Sequence, residues 1–202
     1  MSTSTAGHST ARPQDPARRG HVPGEQGIWV LIFGDMLVFG ILFGTYLYYR
    51  AEDVGLFTSS QQVLNTTYGL VNTLLLLFSS LLVVLAVSAV RRGRPQHAPR
   101  LLIGAIACGL VFSVLKVIEY SDKVDMGITP QTNSFYMFYF FLTGLHWFHL
   151  LLGLGVLTYM YFSARRPALD ARQFAWFEGC GCFWHMVDLL WIVLFPLLYL
   201  MN

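Results

Sequence analysis

Eight ionisable side chains lie inside apolar stretches of this chain: Asp35, Lys116, Glu119, His146, His149, Glu178, His185 and Asp188. Residues of these types at membrane depth can relay protons, hold a haem or metal, or bond one helix to another. The densest group is in the last stretch. It reads Phe177-Glu178-Gly179-Cys180-Gly181-Cys182-Phe183-Trp184-His185-Met186-Val187-Asp188-Leu189-Leu190-Trp191 and runs on apolar to Met201. At about 100° per residue, Glu178, Gly181, His185 and Asp188 fall within about 80° of one another on one helical face. Ionisable groups at that depth are costly unless they face protein, a partner or water. The stripe therefore predicts burial against another helix.

Several chemistries compete for these residues. One of His146 or His149 could hold a haem with His185, but matched pairs for a two-haem bundle are lacking. A di-metal carboxylate site needs Glu-x-x-His ligands repeated on two helices, whereas His185-x-x-Asp188 occurs once. Buried Asp and His suit a proton relay or a small transporter. Against a broken-helix transporter, Pro196 is the one proline within the apolar stretches. No Ser or Cys stands in a base-paired context for nucleophilic catalysis. Cys180 and Cys182 point about 200° apart on a helix and cannot chelate one metal together, and with Cys108 they read as small packing residues. Lys116 and Glu119, at i and i+3, predict an ion pair near the membrane surface with the lysine snorkelling outward.

The elements that must position these groups follow from composition. Hydrophobic residues make up 55% of the chain and charged residues only 12%, against about a quarter charged in soluble domains. Five apolar stretches are long enough to span a bilayer as helices: 28–49, 68–90, 101–120, 135–162 and 174–201. The fold class is all-α, an integral membrane five-helix bundle formed by one domain, 25–202, because helices satisfy their own backbone in lipid. Residues 1–24 are Ser, Thr, Pro, Gly and Arg with few apolar side chains, the composition of a disordered tail.

Ten arginines flank one set of ends: Arg12, Arg18, Arg19, Arg91, Arg92, Arg94, Arg100, Arg165, Arg166 and Arg172. The alternate loops hold only Arg50 and Lys123 as cations. The positive-inside rule then puts the N-terminus in the cytoplasm and the C-terminus outside. The net charge of +2 reflects topology and carries no nucleic-acid signal. Counting residues from the ends brings Asp35, His149 and His185 to similar depth, so one polar seam is expected to join the first, fourth and fifth spanning helices. Gly40-x-x-x-Gly44, Gly153 and Gly181 are expected to let helices approach around it, with Asn72, Ser79 and Ser80 as interhelical hydrogen-bonding groups.

The ordered motifs resemble subunit III of haem–copper cytochrome c oxidases. Phe177-Glu178 followed by Trp184-His185-x-x-Asp188-x-x-Trp191 looks like that family's last helix. Gly144-Leu145-His146-x-x-His149, Glu119-Tyr120 and Val71-Asn72-Thr73 with Ser79-Ser80 resemble its other segments, in the family's order. Five helices match the short bacterial form, which lacks the first two of the seven-helix form. Asp35 stands where the family usually has a glutamate. Gly24-Glu25-Gln26-Gly27-Ile28-Trp29-Val30 looks like the branch associated with nitric oxide reductases.

The resemblance implies an accessory subunit in a bacterial inner (cytoplasmic) membrane, without a cofactor, metal or catalytic residue of its own. Haem and copper would sit in partner subunits I and II of an oxidase or nitric oxide reductase. The chain would support assembly, phospholipid binding and proton uptake, with Asp35, His146, His149, Glu178, His185 and Asp188 as a lipid-binding or structural polar seam.

Overall fold

The computed structural model describes residues 26–166 and 169–201. The tail expected over 1–24, with Arg12, Arg18 and Arg19, lies outside the described residues. Helix α1 covers Gln26–Glu52, α2 Val54–Gln61, α3 Thr66–Arg91, α4 Ala98–Asp125, α5 Ser134–Ala164 and α6 Ala171–Phe195. A 3₁₀ turn, Pro95–His97, leads into α4, and a π-helical turn, Pro196–Leu200, continues α6. No strand occurs among the described residues. Five spans, Gly27–Glu52, Thr66–Arg91, Pro95–Asp125, Ser134–Ala164 and Ala171–Leu200, are long and apolar enough to cross a membrane. The expected spanning helices are thus present as α1, α3, α4, α5 and α6; the first four are a few residues longer than their apolar runs, and α6 reaches its expected length with the π-helical turn that follows it. The chain is a multi-pass membrane protein.

Local chemistry sets the ends. Asp53, Asn65, Asn133 and Asp170 each accept a hydrogen bond from the first turn of the helix that follows, which satisfies donors left open at a helix start. Asp170 does so in a capping box with Gln173. Gly93 and Gly127 have φ of 70° and 74° and close α3 and α4. Each sits in a pair of bonds, Gly93 N to Val90 O with Arg94 N to Ala89 O, and Gly127 N to Val124 O with Ile128 N to Lys123 O. That left-handed closure favours glycine over any residue with a Cβ.

Helix α2 has no counterpart among the expected spans. It is too short to cross, and its one large apolar anchor, Phe57, is buried edge-on against Tyr46 and Phe135. Its apolar half is only Val54–Phe57 and is followed by Thr58-Ser59-Ser60-Gln61, so it offers no long apolar run.

Helices α3, α4, α5 and α6 form the compact part of the bundle, and α1 packs along α5 and α6. Trp184 of α6 is fully buried. A Cβ added at Gly153 of α5 would lie 2.7 Å from its ring, and one at Gly109 of α4 would lie 3.1 Å away. Two glycines on two helices thus make the room that this indole fills. Gly153→Ala is expected to destabilise the bundle by about 1–3 kcal/mol through overpacking. Thermal unfolding in detergent measures this; an unchanged Tm would mean that Trp184 is seated elsewhere. Gly40 and Gly44 do not serve this purpose within the chain. Both are exposed on α1, and an added Cβ would meet nothing within 4 Å.

Candidate functional site

The single polar seam expected from the sequence is divided into separate clusters. Depth matches Asp35 with His149, but it does not fix which way each helix is rotated about its axis.

The first cluster joins α1 and α5. His149 Nε2 lies 3.5 Å from Asp35 Oδ1. Its Nδ1 lies 2.8 Å from the Leu145 carbonyl one turn back. A carbonyl can only accept, so Nδ1 carries a hydrogen. Nε2 is therefore the ring nitrogen that faces the Asp35 carboxyl. Phe39 packs edge-on against the imidazole and covers it from the α1 side.

The second cluster joins α3 and α6. His185 Nδ1 is 2.6 Å from Ser80 Oγ and 3.9 Å from Asp188 Oδ2. The first is a hydrogen bond; the second is too long for one. At the arginine-rich end of the bundle, Arg91 Nε and Nη2 both donate to Glu178 Oε1. Glu178 is buried while the Arg91 side chain is 60% exposed. The stripe on the last helix therefore faces α3, and not the α1–α5 pair to which depth counting had assigned it.

The third cluster lies toward the opposite end. Lys116 Nζ donates to Glu119 Oε2 at 2.9 Å and to Tyr199 OH at 2.9 Å, and Tyr199 OH donates to Glu119 Oε1 at 2.6 Å. The ammonium also lies 4.9 Å from the ring of Trp191, 5.2 Å from Tyr139, 5.5 Å from Tyr199 and 5.8 Å from Tyr120, all within cation–π range. Lys116 and Glu119 are each 1% exposed. This corrects the expected outward-snorkelling lysine. The π-helical turn at Pro196–Leu200 carries Tyr199 over the pair, and aromatic rings take the place of water.

His146 belongs to none of these. It is fully buried between Phe112 at 5.8 Å and Trp191 at 5.2 Å, ring centre to ring centre. Neither nitrogen has a hydrogen-bond partner among the described residues. Trp191 is the hub beside it, donating from Nε1 to Thr73 Oγ1 at 3.0 Å.

The arrangement locks helices to one another, and its donor sets do not fit a haem. His146 is clamped between two aromatic rings, His149 is turned toward α1, and His185 is tied by Ser80 to α3. The histidines address three different neighbours, and no axial pair converges. Among the described residues no three His, Cys, Asp or Glu side chains group to hold a metal ion.

Several partners escaped the sequence reading. Arg91 reads as one of many topology arginines, and Tyr139 and Tyr199 read as ordinary aromatic spacers. The available signal was pairing by level: Arg91 ends α3 and Glu178 lies near the start of α6, so antiparallel helices bring them to one height.

The chain matches the family model described as cytochrome c oxidase subunit III over residues 24–202. It is 28% identical over 178 residues to cytochrome c oxidase subunit 3 of Alkalihalophilus pseudofirmus, across 87% of this chain and 85% of that one. It is 26% identical over 174 residues to cytochrome bo(3) ubiquinol oxidase subunit 3 of Buchnera aphidicola, across 86% and 84%. A third relative, heme-copper oxidase subunit I+III of Aeropyrum pernix, is 27% identical over 179 residues, and the chain spans only 22% of that longer protein. The model match covers nearly all of the described residues, and the chain belongs to the cytochrome c oxidase subunit III family.

Proposed function

We propose that the chain is an accessory subunit of a haem–copper terminal oxidase, held against subunit I in a bacterial inner membrane with its arginine-rich end in the cytoplasm. The family match over residues 24–202 carries this reading. The site agrees with it, because the membrane histidines are committed to packing, a carbonyl and a hydroxyl. Electron transfer belongs to the partner subunits, where haem and copper reside. The role of this chain is to seal and support that core. The opening Gly24–Val30 run favours a nitric oxide reductase core as a second partner class. Removal of the chain from the purified complex tests the accessory role. The initial turnover rate should persist and then decay faster during turnover; an initial rate of zero would contradict it.

The same reading includes phospholipid. What supports it is an apolar groove of about 400 Å³ between α1, α5 and α6, bordered by Ile28, Leu31, Leu152, Trp176 and Phe183. Its polar surface is negligible, so it suits an acyl chain. The Asp35–His149 pair lies on α1 and α5, two of the three helices that border the groove. Mass spectrometry of the protein in mild detergent should find retained phospholipid. Leu152→Trp, which fills the groove, should remove it; equal retention in both would count against the site.

A further inference from the structure

We infer that the outward face of α6, from Glu178 to Leu200, is the seat of one complete membrane-spanning helix of the core subunit, and that this helix places a hydrogen-bonding side chain against His185 Nε2. The inference rests on the accessory-subunit reading and names the surface through which it operates.

Two adjoining grooves mark the face. The first, about 330 Å³, opens between α3 and α6 toward the arginine-rich end and is bordered by Val84, Ser88, Arg91, Glu178, Cys182 and His185. The second, about 460 Å³, continues along α6 past Ile192, Val193, Pro196 and Leu200. Leu189, Ile192 and Val193 join them and are exposed. At 1.5 Å per residue the strip from Glu178 to Leu200 is about 33 Å long. A bilayer's hydrocarbon layer is about 30 Å thick. The strip therefore suits a full span, and a lipid headgroup would match only one end of it.

Chemistry selects protein over acyl chains. Ser80 engages His185 Nδ1, which turns Nε2 to the outside, where no described residue engages it. The His185 side chain is 34% exposed, about 10 Å along α6 from the Glu178–Arg91 pair. An imidazole nitrogen at that depth is costly against hydrocarbon and is satisfied by a polar group on a neighbouring helix. Ser88 and Cys182 add further polar atoms to the same groove. The exposed face of α4 contrasts with it, presenting Ile103, Leu110, Val111, Val114, Val117 and Ile118, which suit lipid. One relative is a heme-copper oxidase subunit I+III, so a core-subunit bundle and a subunit III bundle are neighbours on one chain there.

The test uses the full complex, purified through a tag on this chain. A photo-reactive amino acid is placed at Leu189 or Ile192, and separately at Leu110 or Val114 as the opposed face. Adducts with the core subunit are expected from the α6 positions and not from the α4 positions. Adducts from α4 alone, or capture of phospholipid alone at Leu189 and Ile192, would overturn the inference. His185→Phe keeps the volume and removes the hydrogen bond, and is expected to lower core subunit recovered per chain by up to about tenfold, the effect of roughly one hydrogen bond. Unchanged recovery would overturn the proposed role of His185. If the unmodified chain recovers no core subunit, the accessory reading itself fails; if it does and the α6 probes stay silent, only the docking surface fails.

Discussion

Lys116→Met is expected to cost about 3–5 kcal/mol of stability, as when one partner of a buried ion pair is removed. The ammonium lies among Trp191, Tyr139, Tyr199 and Tyr120 and is bonded to Glu119 and to Tyr199 OH. Methionine fills the stem's volume, so little of the loss comes from a cavity. The loss comes from the Glu119 carboxylate, 1% exposed, left with Tyr199 OH as its remaining donor. Lys123, one turn further along α4, is committed to the Val63 carbonyl at 2.7 Å. Adding Glu119→Gln removes the orphaned charge and keeps an acceptor for Tyr199. The double variant is therefore expected to recover to within about 1–2 kcal/mol of the native protein. Denaturation in detergent of the two single variants and the double variant measures this cycle. Simple addition of the two single losses would show that the groups do not act as a pair.

Trp191→Ala is expected to cost about 3–5 kcal/mol, the range for emptying a buried aromatic site. Its ring meets Phe112 edge-on at 4.9 Å and His146 at 5.2 Å, and its face lies 4.9 Å from the Lys116 ammonium. The indole N–H joins α6 to Thr73 of α3. One substitution thus loosens α3, α4, α5 and α6 together. Trp191→Phe keeps most of the ring contacts and loses the Thr73 bond. Thr73 still donates to the Gly69 carbonyl, so this variant should cost about 1 kcal/mol. Thermal unfolding of both variants reads the difference. Equal losses would mean that the hydrogen bond, and not the packing, holds the hub.

Much of this was legible in the residues. Long apolar runs dictate spanning helices in a solvent that cannot satisfy a backbone, so α1, α3, α4, α5 and α6 follow from composition. The i, i+3 spacing of Lys116 and Glu119 announced their pairing. Their burial was not legible, because it depends on Tyr199 arriving from α6 over a π-helical turn. The azimuth of each helix was equally hidden. His146 and His149 share a helix and differ by one turn, yet one is sealed between Phe112 and Trp191 and the other faces Asp35 on α1. Sequence spacing fixes their separation, and only packing decides which neighbour each one meets. Gly40 and Gly44 carry the same lesson: their spacing is right for close helix approach, but among the described residues no helix lies against them.

The central claim is that this chain serves a redox core without holding a redox centre. Its most direct test is tagged purification from native membranes in mild detergent, followed by stripping the tagged chain from its partner and recording the optical spectrum of each fraction. The account predicts that a haem–copper core subunit co-purifies and that all haem absorbance stays with that core. A Soret band that follows the isolated chain, and is lost in His185→Ala, would contradict it.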